Sequence, residues 1–343
     1  MSGRTGDTHH FTTPRPLEQR LQELDDDGVA GEFITVGFGA RSNDPEFMHA
    51  LTQAEIRWFD DFFSPAAYRF RGAVVVTLPL GMDAVVREID QACAHGIRAI
   101  ILAGNPGNVG MHQPTYNSHY YDPMWGALAE RGMALVFHPG WSREKPLVEF
   151  AGSDYEPGWE GLNAIRMHED TEAALPQLLL GAVPQRYPNL KFGFVEAHAM
   201  WIPQALQRLD GIVRSVGESS VRYELLPSEM WRRQGFASGP LEAEDVDARY
   251  GVGVENLAWG SDYPHSEGTW PISRRWLGYL FRDVPREETD LIVAGNAARL
   301  FGFDLEKLAE TPAAAVPWPD AEESAHWHHD TSQQPFFREL VSE

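Results

Sequence analysis

The chain has 343 residues, 43% of them apolar, with 28 Lys and Arg against 50 Asp and Glu, a formal charge of -22. Such an acidic surface repels nucleic acid and anionic lipid, so neither is expected as a partner, while the apolar fraction supports a sizeable core. A single cysteine, Cys93, excludes an intrachain disulfide and a cysteine-based zinc site; with no apolar run near the ~18 residues of a membrane helix and no signal-peptide core in MSGRTGDTHHFTTPRP, a cytoplasmic protein is expected.

In chain order, RLQELDDDGVA spaces Leu21 and Leu24 as a short helix closed by Gly28. GEFITVGFG then predicts a strand and DPEFMHALTQAEIRWFDDFF a helix. GAVVVTLPL is a buried strand bounded by Gly and Pro. MDAVVREIDQACAHG is an amphipathic helix ending at Gly96; Cys93 falls on its apolar spacing with Val85, Val86 and Ile89 and reads as a small core residue. IRAIILAG is a strand, DPMWGALAERG a helix, MALVFHPG a strand and EDTEAALPQLLLGAVPQRYP mostly helix. LKFGFVEAH is a strand running through His198, and WIPQALQRLDGIVRSV a helix. RRQGFASG is a weaker strand, VENLAWGSDYP the last strand, and REETDLIVAGNAARLFGF the last helix.

Strands apolar on both faces and alternating with helices belong to a parallel sheet built from βα units. Seven strands suggest an α/β TIM-type (β/α)8 barrel with one strand unaccounted for. A doubly wound open sheet is the alternative, and the lack of a GxGxxG or Walker pattern after an early strand argues against its nucleotide-binding forms. After Phe303 the composition turns to Pro, Ala and acid, a tail that orders only by docking Trp318, Trp327, Phe336 and Phe337.

Active sites in βα barrels lie at the C-terminal ends of the strands. There the chain places His138 (VFHPG), Glu196 and His198 (FVEAH), and Asp262 with His265 (WGSDYPH). Imidazole and carboxylate at converging strand ends suit a divalent metal or acid/base work. Residues two apart on a strand share a face, so Glu196 and His198 are expected to enter one pocket; Glu196 held by a neighbouring Arg is the alternative. His95 reads as a helix C-terminal residue, and His168 as a surface or helix-start residue. His112 and His119 lie in a loop within reach of a substrate. HWHH at 326–329 has metal-binding letters within the tail. Trp125, Trp141, Trp201, Trp259 and Trp270 fall near strand ends, in an aromatic pocket or in the core. No GxSxG elbow supports serine catalysis.

DPMWGALAERGMALVFHPG, LLLGAVPQRYPNLKFGFVEAHAMWIPQALQRLD, PSEMWRRQ, LAWGSDYPHSEGTWP and GNAARLFGF, in that order, resemble the amidohydrolase-related family, in the branch of aminocarboxymuconate-semialdehyde decarboxylase and its aromatic-acid relatives. The resemblance covers roughly residues 16–303, leaving 1–15 as a disordered segment or loop remnant and 304–343 as the tail. It implies a metal-dependent barrel with one divalent ion, zinc first and manganese second. By resemblance His138 is the fifth-strand ligand, and Asp262 the eighth-strand ligand and proton acceptor. Glu196 or His198 shuttles protons, and Trp201, Trp259 and His265 shape the substrate site. The family's first-strand HxH is missing; adjacent His9 and His10 alternate sides and cannot both face one ion. The first strand is therefore expected to be absent. The sixth-strand His-Gly run of the decarboxylases is also missing, since alignment on Pro203 puts Ala197 there. Hydrolysis of a small aromatic or cyclic carboxylate, ester, lactone or amide by a metal-activated water is accordingly placed first. Non-oxidative decarboxylation of a small aromatic acid is the alternative, and a shortened, metal-free, non-catalytic barrel a third reading. A small-molecule substrate, and a homodimer as in many relatives, complete the implied partners.

Overall fold

The structure, a computed structural model, describes residues 15–36, 42, 44–106, 113–139, 159–215, 221–265 and 268–319. In chain order these form α1 (Leu17–Asp27), β1 (Glu32–Thr35), α2 (Pro45–Phe63), β2 (Phe70–Val75), α3 (Met82–Ala94), β3 (Ile97–Leu102), α4 (Asp122–Arg131) and β4 (Ala134–Phe137). Then follow α5 (Trp159–Glu172), α6 (Ala174–Leu180), α7 (Val183–Arg186), β5 (Lys191–Val195), α8 (Ile202–Ser215), α9 (Pro227–Gln234) and β6 (Gly235–Gly239). The last are α10 (Ala243–Asp247), α11 (Arg249–Val252), β7 (Leu257–Trp259), α12 (Ser273–Leu280), α13 (Arg286–Asp290), α14 (Asn296–Phe301) and α15 (Leu305–Leu308).

The seven strands pair in sequence order, every neighbour parallel. This is the curled α/β sheet of a TIM-type fold, one strand short among the described residues, and β1 and β7 are its two edges. The two faces of the strands bury different sets. Val74, Ile100, Leu135, Phe192 and Phe194 pack into the large core shared with the helices. Ala73, Ala99, Ile101, Ala134, Val136 and Phe236 form a smaller inner core, joined by Leu300 and Phe301. The inner set is rich in alanine because a closing sheet leaves little room inside. Gly193 serves the same need: a Cβ there would lie 2.4 Å from the Phe236 ring.

Local chemistry sets the helix ends. Gly28 closes α1 in the left-handed conformation (φ 74°), where a Cβ costs energy. Asp44 caps α2 by accepting from the amides of Glu46 and Phe47. Asp27 caps α12 from a distance, accepting from the Ser273 amide at 2.8 Å and its hydroxyl at 2.5 Å. That contact ties the first described helix to the last third of the chain.

The structure corrects several element boundaries. The strand expected through His198 ends at Val195, and the one expected through Pro264 ends at Trp259. Both corrections fall where the site is built. The single last helix is three segments, with a π-helical turn over Leu291–Gly295 between α13 and α14. Most of α5, and helices α9, α10, α11, α12 and α15, join the elements read from the sequence. Trp318 lies against the guanidinium groups of Arg274 and Arg286. Trp327, Phe336, Phe337 and the 326–329 HWHH stretch are outside the described residues. None of the described helices is long and apolar enough to cross a membrane.

Candidate metal and acid/base site

Three strand ends supply the site. β4 stops at Phe137 and hands on His138, which is 4% exposed. Its Nδ1 donates to the carbonyl of Pro139 at 2.7 Å. That hydrogen bond orients the ring and turns Nε2 inward, the arrangement by which a metal-ligating or acid/base histidine is held.

Glu196 follows β5. Its amide donates to the Ser238 carbonyl at 2.7 Å, prolonging the ladder by one rung. Its backbone then turns left-handed at φ 59°. Gly239 on β6 permits the close approach, since a Cβ there would meet Glu196 backbone atoms at 3.2 Å. Glu196 Oε2 lies 2.8 Å from His138 Nε2. Burial pushes the Glu196 carboxyl up, but the His138 hydrogen bond and the nearby imidazoles of His138 and His265 outweigh it, leaving the group below the usual range.

Asp262, also left-handed at φ 56°, sits in the loop after β7. The loop is closed by Thr269 N donating to Ser261 O at 2.8 Å and His265 N donating to Asp262 O at 2.9 Å. His265 Nδ1 thereby comes 3.3 Å from Asp262 Oδ1 and 3.8 Å from Glu196 Oε1. Donor atoms of Glu196, Asp262 and His265 all lie within 4.8 Å of one another. Two partly buried carboxylates and an imidazole at that separation suit a divalent cation, which offsets the repulsion of the paired acids. The donor set fits such an ion. It differs from the expected pair of His138 and Asp262: Glu196 and His265 join Asp262, and His138 is engaged by Glu196.

His198 goes elsewhere. The expectation that Glu196 and His198 share a face assumed a strand, but both residues are left-handed, at φ 59° and 52°, and period two does not apply. His198 Nδ1 lies 3.4 Å from Asp245 Oδ2, and its ring faces His168 with centroids 5.6 Å apart. The Asp245 hydrogen bond raises the His198 pKa. Burial, then the charge of His198, lowers that of His168. Burial pushes Glu242 beside them up to about 7. His168, read from sequence as a surface or helix-start residue, is half-buried in this cluster. Asp245 had no sequence signal beyond its place in a helix-capping pattern.

A cavity of about 1230 Å³ opens onto His138, Glu196, Asp262 and His265 and extends along both sheet edges past Phe33 and Trp259. Trp201 does not line it. Its indole donates to the Ala197 carbonyl at 2.9 Å and its ring packs on Phe194. Trp125 is fully buried against Tyr116 and Tyr121 and is core, whereas Trp270 packs edge-on against Tyr263. His95 pairs with Asp60, and His119 with Asp122 on the surface. His9, His10, His112 and Trp141 are outside the described residues.

A profile of the amidohydrolase family matches residues 9–303. The chain belongs to the amidohydrolase family. It is thus a member of a family of enzymes, as the sequence motifs implied. Among solved structures, 5-carboxyvanillate decarboxylase from Sphingomonas paucimobilis superposes with a TM-score of 0.66 at 22% identity, over 83% of this chain and 83% of that one. An amidohydrolase from Mycobacterium avium subsp. paratuberculosis K-10 gives 0.70 at 22% identity, over 85% of this chain and 74% of the other. A dihydroxybenzoic acid decarboxylase from Polaromonas sp. JS666, solved with bound manganese and the inhibitor 2-nitroresorcinol, gives 0.66 at 14% identity, over 88% and 89%. These likenesses establish the fold. No curated protein matches by sequence.

Proposed function

We propose that the protein is a metal-dependent carboxy-lyase that removes CO2 from a small aromatic acid without net oxidation. The observation that carries the reading is the meeting of Glu196, Asp262 and His265 donor atoms within 4.8 Å on the cavity wall, with His138 hydrogen-bonded to Glu196. The similarity to decarboxylases acting on hydroxylated benzoates supports this reaction over hydrolysis, which the sequence alone placed first. Manganese, bound in the Polaromonas decarboxylase, is favoured alongside zinc.

A divalent ion held by the carboxylates of Glu196 and Asp262, with His265 beside them, would supply positive charge for an anionic carboxylate substrate. The chain's own groups do the rest. In the reaction the bond between ring carbon and carboxylate breaks, the electron pair stays on the ring carbon, CO2 leaves, and a proton is delivered to that carbon. His265 lines the cavity with its Nδ1 3.3 Å from Asp262 Oδ1 and 3.8 Å from Glu196 Oε1, and is the group placed to deliver the proton. Glu196, held ionised by the His138 hydrogen bond, keeps its charge for the ion, and the imidazole regains its proton from solvent through the open cavity. Trp259 and Phe33 give the cavity aromatic walls suited to a benzoate ring.

The test is to load the purified protein with Mn2+ or Zn2+ and offer 2,6-dihydroxybenzoate, 5-carboxyvanillate, an aryl ester and an aromatic lactone. CO2 release from an aromatic acid, lost in Asp262→Asn, supports the reading. Ester or lactone cleavage with no CO2 replaces it with hydrolysis, and inertness toward all four with no metal uptake indicates a non-catalytic barrel.

A further inference from the structure

Between β5 and α8 the chain makes a turn, residues 196–200, in which two of five residues, Glu196 and His198, hold the left-handed conformation without being glycine. Such a backbone persists only where its surroundings over-determine it. The group that does so comes from a different βα unit. Asp245, on α10 after β6, is wholly buried. Its Oδ1 accepts from the amides of Ala199 at 2.7 Å and Met200 at 3.0 Å. Its Oδ2 accepts from the Glu242 amide at 3.1 Å and lies 3.4 Å from His198 Nδ1.

Capping of α10 needs only the Glu242 contact. The other three reach across to the turn that aims Glu196 at His138 and Asp262. A carboxylate buried this deeply is stable only with its donors in place, so carboxylate and turn hold each other. We propose that Asp245 is the positioning residue of the site: by clamping the Ala199 and Met200 amides it fixes the direction of Glu196, and by accepting from His198 Nδ1 it fixes the tautomer and heading of that imidazole. The inference rests on the reading of Glu196 as a site residue. Among the described residues, the hydrogen-bond partners of Asp245 are His198, Ala199, Met200 and Glu242, none of which lines the cavity, so it acts through Glu196 and His198 and not on substrate.

Two substitutions separate the two halves. Asp245→Asn keeps the shape and can keep an oxygen toward the Ala199 and Met200 amides, but its NH2 then faces His198 Nδ1 and demands an acceptor there. Asp245→Ala removes the clamp altogether. Histidine 15N NMR at alkaline pH, with His198 assigned by His198→Gln, reads the tautomer. Titration calorimetry with Mn2+ alone reads the aim of Glu196. The expected results are an Nδ1–H tautomer in the wild type that becomes Nε2–H in Asp245→Asn, and Mn2+ affinity kept within about threefold in Asp245→Asn but weakened at least about tenfold in Asp245→Ala. An unchanged tautomer in Asp245→Asn overturns the proposal, as does a folded Asp245→Ala that binds Mn2+ like the wild type. If Asp245→Ala fails to fold, the Asp245→Asn tautomer decides alone. If the wild type takes up no Mn2+, the metal reading fails and the tautomer still tests Asp245.

Discussion

Glu196 Oε2 lies 2.8 Å from His138 Nε2, while its other oxygen lies 3.8 Å from His265 Nδ1. One side chain therefore links the ends of β4, β5 and β7. Glu196→Gln keeps the shape of that link and removes its charge. It should weaken Mn2+ binding by about 10- to 100-fold, as loss of a ligand or its close support does, with an unchanged circular dichroism spectrum. Titration calorimetry checks this; equal affinity in the variant would place Glu196 outside the metal's surroundings.

His265 is assigned the proton delivery. His265→Gln should lower kcat for CO2 release by about 10^2- to 10^4-fold, with substrate KM changed far less. Solvent-deuterium incorporation into the product ring should fall in parallel. A variant with wild-type kcat would move the proton source to another group.

Asp27 gives a pH signature remote from the site. Burial raises its carboxyl from 3.8 to about 6, against the Ser273 hydrogen bonds that lower it. The folded state thus holds the proton more tightly than the unfolded chain. The resulting stability is fully present below about pH 4 and is lost as pH rises through about 6. Relative to Asp27→Asn, the wild type should gain up to about 3 kcal/mol on going from pH 7 to pH 4. Urea melts of both proteins at a series of pH values measure the difference, and a flat difference would contradict the assignment.

Gly193 tests the inner packing. A Cβ on this residue meets the buried Phe236 ring at 2.4 Å. Gly193→Ala should cost about 1–3 kcal/mol through overpacking, read as a lower urea midpoint with an unchanged slope. A neutral substitution would mean that the ring has room to yield.

The barrel was legible because its strands are apolar runs with no alternation, as in IRAIIL and ALVF, and such runs between amphipathic helices have few other folds open to them. His138, Glu196, Asp262 and His265 were legible because strand ends carry barrel chemistry. Their pairing was not. It depends on Glu196, His198 and Asp262 leaving the strand conformation, and nothing in EAHAMW or GSDYP announces a left-handed residue that is not glycine. Asp245 lies 47 residues from His198 in an ordinary acidic helix start, EAEDVD, where a helix cap is the default reading. Helix α12, SRRWLGYL, was hidden for a related reason: its cap, Asp27, lies 246 residues away in sequence.

The most direct test of the account is the metal content per chain of untagged protein, by mass spectrometry, for the wild type and Asp262→Asn after equilibration with Mn2+ and gel filtration. The account predicts about one divalent ion per wild-type chain, as the one such cluster among the described residues, Glu196, Asp262 and His265, implies, and little or none in the variant. Metal absent from the wild type, or retained equally by Asp262→Asn, would contradict it.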